Sequence, residues 1–354
     1  MSFRIAVIPG DGIGREVIPE GIRAVDAVAA TVGASLSWTT FDWSCERYHA
    51  TGAMMPADGL DRLRDFDAIY LGAIGWPTVP DHVALWNLLF PIRRQFDQYA
   101  NLRPCRIIPG LPSPLANTDG RTIDFWIVRE NTEGEYSSTG GRLFEGTPRE
   151  MAIQETVFTR TGVDRIIEYA FQLARRKGRT KVTSATKSNG LAITMPFWDE
   201  RFAEAAARHP DIATDKYHID ILTAHFVRYP ERFQVVVASN LFGDILSDLG
   251  PAVCGSIGIA PSGNINPERT YPSMFEPVHG SAPDIAGRGI ANPIGAVWSA
   301  AMMLDHLGLP DAHDLIVRAI ERVVGGNGPR TPDMGGTAHT SDVGTAIVEA
   351  LRRS

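Results

Sequence analysis

Phe3-Arg-Ile-Ala-Val-Ile8 is the first apolar run and reads as a buried strand; Ile18, Ile22, Val25, Ala29 and Val32 then recur at helical spacing along one face of the segment that follows. Asp67-Ala-Ile-Tyr-Leu71 reads as another buried strand, ending at Gly72. Strand and helix patterns in alternation imply an α/β fold with a largely parallel sheet. Beyond Asn101, strands are predicted at Phe125–Val128, Ile153–Thr159, Val182–Ala185 and Phe233–Ala238, with a helix at Val163–Lys177 closed by Gly178. From Gly255 to Asn292 the chain turns rich in Gly, Pro and Asn, a composition of long functional loops, before helical patterns return.

At 354 residues the chain can fill more than one core, which suggests two domains. The pattern places one at 1–100 with 255–354 and the other at 101–254. A formal charge of −7 leaves no basic footprint for nucleic acid, so an anionic ligand would need a local cluster of arginines or lysines. Cys45, Cys105 and Cys254 lie far apart and suggest neither a disulfide framework nor a zinc site. No signal-peptide pattern opens the chain and no apolar run approaches the roughly 20 residues of a membrane span, so a cytoplasmic protein is expected.

The chemistry concentrates in Asn240-Leu-Phe-Gly-Asp244-Ile-Leu-Ser-Asp248-Leu-Gly-Pro251. Asp244 and Asp248 are four residues apart, about one helical turn, and project from one face. Like charges that close repel unless a cation lies between them, and hard oxygen ligands suit Mg²⁺ or Mn²⁺. The plainer alternative, a solvated acidic face, is weakened by the apolar Phe242, Ile245, Leu246 and Leu249 around the acids. The apolar Phe233–Ala238 delivers this helix to the C-terminal end of a strand, where α/β proteins bind ligands.

Pro9-Gly-Asp-Gly-Ile-Gly14 follows a strand and opens a helix, but its G-x-G-x-G spacing is not the dinucleotide fingerprint, and no acid ends a second strand some 20 residues later. A tight turn that lets a ligand approach its backbone is the better reading. Ser184-Ala-Thr-Lys187 has the S-x-x-K form of serine acyl-enzymes without the partner motifs. Lys187 nonetheless ends an apolar strand, where a lysine is commonly ion-paired or catalytic. Arg93, Arg103 and Arg129 are each unremarkable alone; together with a metal half-site they suit a substrate with two carboxylates, which arginine's planar fork binds bidentately. Tyr136 lies in a polar, Gly-containing loop, and His279 sits among turn-formers in Glu276-Pro-Val-His-Gly-Ser-Ala-Pro-Asp284.

Taken together, Pro9–Gly14, Ala100–Pro104, Val128–Tyr136, Thr186–Asn189, Asn240–Asp248, Phe275–Asp284 and Ile290–Pro293 make the chain resemble, end to end, the β-decarboxylating dehydrogenases of isopropylmalate, isocitrate, tartrate and D-malate. Phe41-Asp-Trp43, Met54–Gly59, Val79–His82 and Phe96–Tyr99 are most similar to the D-malate and tartrate branch. The resemblance implies a two-domain α/β fold of the isopropylmalate/isocitrate dehydrogenase type, distinct from the standard Rossmann fold, and a homodimer with shared active sites. It implies that Asp244 and Asp248 bind the divalent metal with Asp220 of the other subunit, and that Lys187 also reaches across the dimer as the base. Arg93, Arg103 and Arg129 would hold substrate carboxylates, and Tyr136 would donate a proton. His279, Asp284 and Asn292, with the backbone of Gly280, Ser281 and Ala282, would hold the adenosine half of NAD. The implied cofactors are NAD and Mg²⁺ or Mn²⁺, with a monovalent cation such as K⁺ as a further candidate.

The resemblance also places Leu85–Arg93 against the substituent at C3 of a malate-type acid. Leu88, Leu89 and Phe90 could accept an alkyl group, whereas Trp86 and Phe90 could fill its place, with Asn87 bonding a hydroxyl. The expected substrates are D-malate or a tartrate isomer, with 3-isopropylmalate the alternative. A non-catalytic regulatory subunit of the same fold is the reading from outside enzymology.

Overall fold

Apolar runs and amphipathic segments alternate as strands and helices in the computed structural model, which describes residues 1–116 and 123–353. Two compact units are present: Met1–Gln98, Leu102–Ile123 and Gly250–Ser354 form the first, and Tyr99–Asn101 with Asp124–Leu249 the second. These limits differ from 100/101 and 254/255 expected from the pattern. Residues 102–123 and 250–254 cluster with the terminal segments, where the Ser113 hydroxyl donates to the Val253 carbonyl at 2.6 Å.

In the first unit β1 (Ser2–Gly10), β2 (Ser35–Thr40), β3 (Ala68–Ala73), β4 (Ala100–Arg106), β11 (Pro261–Ile265) and β12 (Ser273–Pro277) lie in the order β2-β1-β3-β12-β11-β4. The β1–β2, β1–β3 and β3–β12 pairings are parallel and β11–β12 is antiparallel. Helix α1 (Gly14–Ala29) buries Ile18, Val25 and Ala29 of the face its periodicity predicts, together with Val17, Ala24 and Val28, while Ile22 is half-buried and Val32 lies beyond the helix. Helix α6 (Ile294–His306) is buried without a break from Ile294 to Leu304, which its all-round apolar sequence requires. Helices α7 (Pro310–Gly325) and α8 (Thr340–Arg352) complete the unit. The stretch Gly255–Asn292, expected as loops, contains the wholly buried β11 and β12. Its polar composition misleads because the side chains are consumed internally: Asn264 Nδ2 donates to Glu276 at 2.8 Å, and Asn266 Oδ1 accepts from the Thr270 and Tyr271 amides.

The second unit carries β5 (Asp124–Glu130), β8 (Lys181–Thr186), β9 (Ala213–His218) and β10 (Val235–Ala238), all parallel, in the order β5-β10-β8-β9. Its helices are α2 (Arg160–Arg176), α3 (Thr194–Arg208), α4 (Ile219–Arg228) and α5 (Asn240–Cys254), the last running on past Leu249. β10 is buried at every position, as a central parallel strand covered on both faces must be. β6 (Gly140–Leu143) and β7 (Met151–Gln154) form a separate antiparallel pair, exposed throughout. The strand expected at Ile153–Thr159 is therefore largely replaced: the Thr159 hydroxyl accepts from the Gly162 amide at 3.0 Å and caps α2 instead.

Candidate active site

Parallel β5, β10, β8 and β9 end side by side, and Arg129, Lys187 and Asp220 emerge at or just after those ends, with Tyr136 in the loop after β5 and Asp244 and Asp248 on the helix after β10. Ala238, the last residue of β10, pairs with Arg129 in register, so Arg129 stands at the C-terminal end of β5 beside the start of α5. Lys187 follows β8, and Asp220 lies in the first turn of α4 after β9. This is the edge of an open α/β sheet where ligands bind.

Arg129 is buried, and its guanidinium is fully engaged along α5. Nε and Nη2 donate to Asn240 Oδ1 at 3.1 and 2.8 Å, and Nη1 pairs with Asp244 Oδ1. The arginine stem crosses the helix at Gly243, where a Cβ would come within 2.5 Å of it; only glycine admits that approach. The other Asp244 oxygen accepts from the Tyr136 hydroxyl at 2.6 Å, and the Arg129 guanidinium carbon lies 5.5 Å from the tyrosine ring centre. Burial, then the hydrogen bond to Asp244, push the Tyr136 phenol up to about 12. The tyrosine is therefore protonated at neutral pH, as a proton donor must be.

Asp248, one turn beyond Asp244, is exposed, as is the intervening Ile245. The repulsion that suggested a cation between the two acids is already relieved by Arg129 on Asp244. Lys187 and Asp220 form a second cluster, with Nζ donating to Asp220 Oδ1 at 2.8 Å. That bond holds the Asp220 carboxyl below its usual range. Among the described residues of one chain, no three His, Cys, Asp or Glu side chains gather to enclose a metal.

The first unit places Arg93 in the helical turn Phe90–Gln95, buried, with Nη2 donating to Glu276 Oε1 at 2.8 Å; its Nε is buried without a partner. Arg103 is buried on β4. Leu88 and Leu89 point into the core of this unit and are not available to an alkyl substituent, which corrects one sequence reading. Trp86 and Phe90 are partly exposed and pack edge to face at 4.8 Å, in and beside a π-helical turn at Leu85–Leu89. Such turns recur at functional sites.

His279, Gly280, Ser281, Ala282, Asp284 and Asn292 lie on one continuous segment after β12. His279 Nδ1 lies 3.0 Å from the Gly280 carbonyl, and its Nε2 is buried without a partner; burial lowers its pKa and keeps the ring neutral. Asp284 is exposed in a turn. Asn292 spends its amide on Asp333 at 2.9 Å and its carbonyl on the Ile294 amide at 3.0 Å. Asp11 and Gly12 of the Pro9–Gly14 turn line a cavity with Arg15, Trp76 and Gly287, while another side of the turn packs against Ser281. A Cβ on Gly12 would lie 2.0 Å from the Ser281 carbonyl, and the Ile13 amide donates to that same oxygen at 3.0 Å. Gly12 seats the 279–292 segment, whereas Gly10 and Gly14 admit the backbone of β3 at Gly72 and Ala73.

Asn240, Gly243 and Glu135 were legible as residues but not as parts of the site. Asn240 and Gly243 fix Arg129, and Glu135 accepts from the Ser239 hydroxyl and the Leu241 amide. A glycine one residue before the first acid of a helical pair was the available signal.

Comparison with known proteins agrees with this geometry. The profile of the isocitrate/isopropylmalate dehydrogenase family matches residues 4–347. A D-malate dehydrogenase (decarboxylating) of Escherichia coli K12 is 61% identical over 99% of both chains. A tartrate dehydrogenase/decarboxylase of Pseudomonas putida is 60% identical over 99% of this chain and 98% of its own. Among solved structures, an isocitrate dehydrogenase of Methylococcus capsulatus superposes with a TM-score of 0.90 at 35% identity, covering 99% of each chain. A β-decarboxylating dehydrogenase of Thermococcus kodakarensis gives a TM-score of 0.80 at 38% identity, covering 99% of this chain and 96% of its own. The chain belongs to the isocitrate/isopropylmalate dehydrogenase family. It is an enzyme, a decarboxylating dehydrogenase of hydroxy acids.

Proposed function

We propose that the protein oxidises and decarboxylates a malate-type 2-hydroxy acid, D-malate or a tartrate isomer, with NAD and Mg²⁺ or Mn²⁺. The observation that carries this is the cluster of Arg129, Tyr136 and Asp244 at the ends of β5 and β10: a carboxylate-binding cation, a protonated phenol and a hard oxygen ligand within one set of hydrogen bonds. Similarity to the D-malate and tartrate enzymes supports the substrate class.

The donor chemistry fits a hard divalent ion, with Asp244 and Asp248 from one copy and Asp220 from a second. Bound there, the metal supplies a Lewis acid for the substrate's C2 oxygen. The buried, unpartnered Nε2 of a neutral His279 fits a ligand atom of the cofactor's adenosine half, with Asp284 on the ribose and Asn292 alongside. The nicotinamide supplies the hydride acceptor.

The chain's own residues do the rest. Arg93, with its buried unpartnered Nε, and Arg103 and Arg129 hold the two carboxylates. Arg129 exchanges Asp244 for substrate, which frees an Asp244 oxygen as the negative charge arrives. Lys187 accepts the C2 hydroxyl proton as C2 is oxidised, and Asp220 holds the resulting ammonium. Once the β-carboxylate has left as CO₂, Tyr136 returns a proton to C3. A homodimer with shared sites accounts for the separation of Lys187–Asp220 from Asp244. The exposed Ile221, Val227 and Ile245 on the helices bearing Asp220 and Asp244 suit a covered interface. K⁺ is a further candidate cofactor, to be tested by omission.

A panel of D-malate, the tartrate isomers, 3-isopropylmalate and isocitrate, assayed for NADH and CO₂ with and without Mn²⁺, tests this. Metal-dependent NAD reduction with D-malate or a tartrate is expected. No turnover with any malate-type acid would favour a regulatory subunit.

A further inference from the structure

We infer that Glu135 is the positioning residue that sets Tyr136 against Asp244, by clamping the tyrosine's loop onto the amino end of α5. The inference rests on the proposed role of Tyr136 as proton donor.

The loop Glu130-Asn-Thr-Glu-Gly-Glu-Tyr136 carries three acids that the site does not otherwise use. Glu130 folds back on its own turn, accepting from the Thr132 and Glu133 amides at 2.8 and 3.0 Å. Glu133 ties the loop to the start of α2, accepting from the Thr159 amide at 2.9 Å and hydroxyl at 2.7 Å. Glu135 ties it to the start of α5, accepting from the Ser239 hydroxyl at 2.7 Å and the Leu241 amide at 3.0 Å. The first amides of a helix lack partners within it, and their partial positive charge favours a carboxylate. Ser239, the residue such a helix would use as its own cap, donates its hydroxyl to the loop instead.

The consequence is a register. Adjacent loop residues Glu135 and Tyr136 meet α5 at Leu241 and Asp244, three residues or nearly one turn apart. Asn240 reinforces it, donating from Nδ2 to the Glu133 carbonyl at 2.9 Å while its Oδ1 holds Arg129. Glu135 thus connects the proton donor to the same helix that carries the aspartates, without touching the reacting atoms.

Glu135→Gln, Ser239→Ala and Ser239→Thr test this in the full-length enzyme. For the first two, kcat is expected to fall by about tenfold to a hundredfold, the cost of a small misplacement. KM for D-malate and the Mn²⁺ concentration for half activity should stay within about threefold, because ground-state binding is untouched. Amide hydrogen exchange across 131–136 should accelerate while the Asp244–Ser247 amides of α5 stay protected. Ser239→Thr, which keeps the hydroxyl, should behave as wild type in both assays. Unchanged exchange in the loop overturns the clamp, and faster exchange with unchanged kcat overturns its catalytic role. Loss of Mn²⁺ affinity in step with kcat assigns Glu135 to general support of α5 and also overturns the inference. If Glu135→Gln does not fold, Ser239→Ala against Ser239→Thr decides. Failure of wild type on every malate-type acid would remove the functional reading while the exchange result still stands.

Discussion

Arg129 is almost wholly out of water, with 2% of its side chain exposed, while its ionic partner Asp244 keeps 37%. The pair is therefore asymmetric: removing the aspartate's charge strands a buried cation. Asp244→Asn and Asp248→Asn should each lower turnover at limiting Mg²⁺ or Mn²⁺ by roughly a hundredfold or more, since losing even a group that only hydrogen-bonds a metal ligand costs up to that much. Asp244→Asn should also destabilise the metal-free protein. We expect about 1–3 kcal/mol, less than for a fully buried pair because Asp244 is partly solvated and Asn240 still binds the guanidinium. Urea denaturation of Asp244→Asn against wild type, alongside metal titration of activity in both variants, separates the effects; stability equal to wild type would mean the ion pair contributes nothing.

A pH dependence follows from Glu130, whose carboxyl burial pushes up to about 7. Its folded pKa lies above its unfolded one, so the folded state binds the proton more tightly. The associated stability is fully present below the ordinary carboxylate range and is lost as pH rises through about 7. Glu130→Gln, which cannot ionise, should flatten the fall in stability between about pH 4.5 and 7. Thermal unfolding across that window measures the slope, and an unaltered slope would show that Glu130 ionises freely in the fold.

Cofactor choice turns on Asp284, exposed on the segment that also holds His279 and Asn292. A carboxylate accepts from a free ribose diol and repels a 2′-phosphate. The specificity constant should favour NAD over NADP, and Asp284→Ala should narrow the gap mainly through weaker NAD binding. Arg288, also exposed, is the one nearby cation in sequence that could offset this. Equal specificity constants in wild type would reject the assignment.

Lys187 was legible because an apolar run stopped by a charge is informative in itself, and Asp244 because it and Asp248 stand one helical turn apart on an otherwise apolar helix. β2 was not, because Ser35–Thr40 is polar and largely exposed. β11 and β12 were hidden by asparagines whose amides are satisfied inside the protein. The Arg129–Asp244 pair and the Glu135 clamp join residues about a hundred positions apart, through the register of β5 beside β10. No local pattern carries that information.

Substrate choice is the last consequence, and it rests on Trp86 and Phe90. The two rings pack edge to face at 4.8 Å, and Arg94 lies over both, its guanidinium carbon 4.7 Å from the Trp86 ring centre and 5.8 Å from that of Phe90. A braced pair yields less readily than two independent side chains. If this segment faces C3 of the substrate, little room remains beyond hydrogen or hydroxyl, because Leu88 and Leu89 are turned into the core. Asn87 donates from Nδ2 to the Val83 carbonyl at 2.8 Å, so its carbonyl oxygen is the group to accept from a tartrate hydroxyl. Leu85–Ile92 holds no Ser, Thr, Lys or Arg to receive isocitrate's third carboxylate, and burying it unpaired is costly. D-malate or a tartrate isomer should therefore exceed both 3-isopropylmalate and isocitrate in specificity constant. Trp86→Ala should raise the ratio for 3-isopropylmalate over D-malate by about tenfold or more, since even one methylene of fit is worth about 1–3 kcal/mol. The arginines and the metal ligands are unchanged in that variant, so the reaction type should persist. A wild-type preference for 3-isopropylmalate, or a Trp86→Ala ratio equal to wild type, would remove the aromatic pair as the selecting wall.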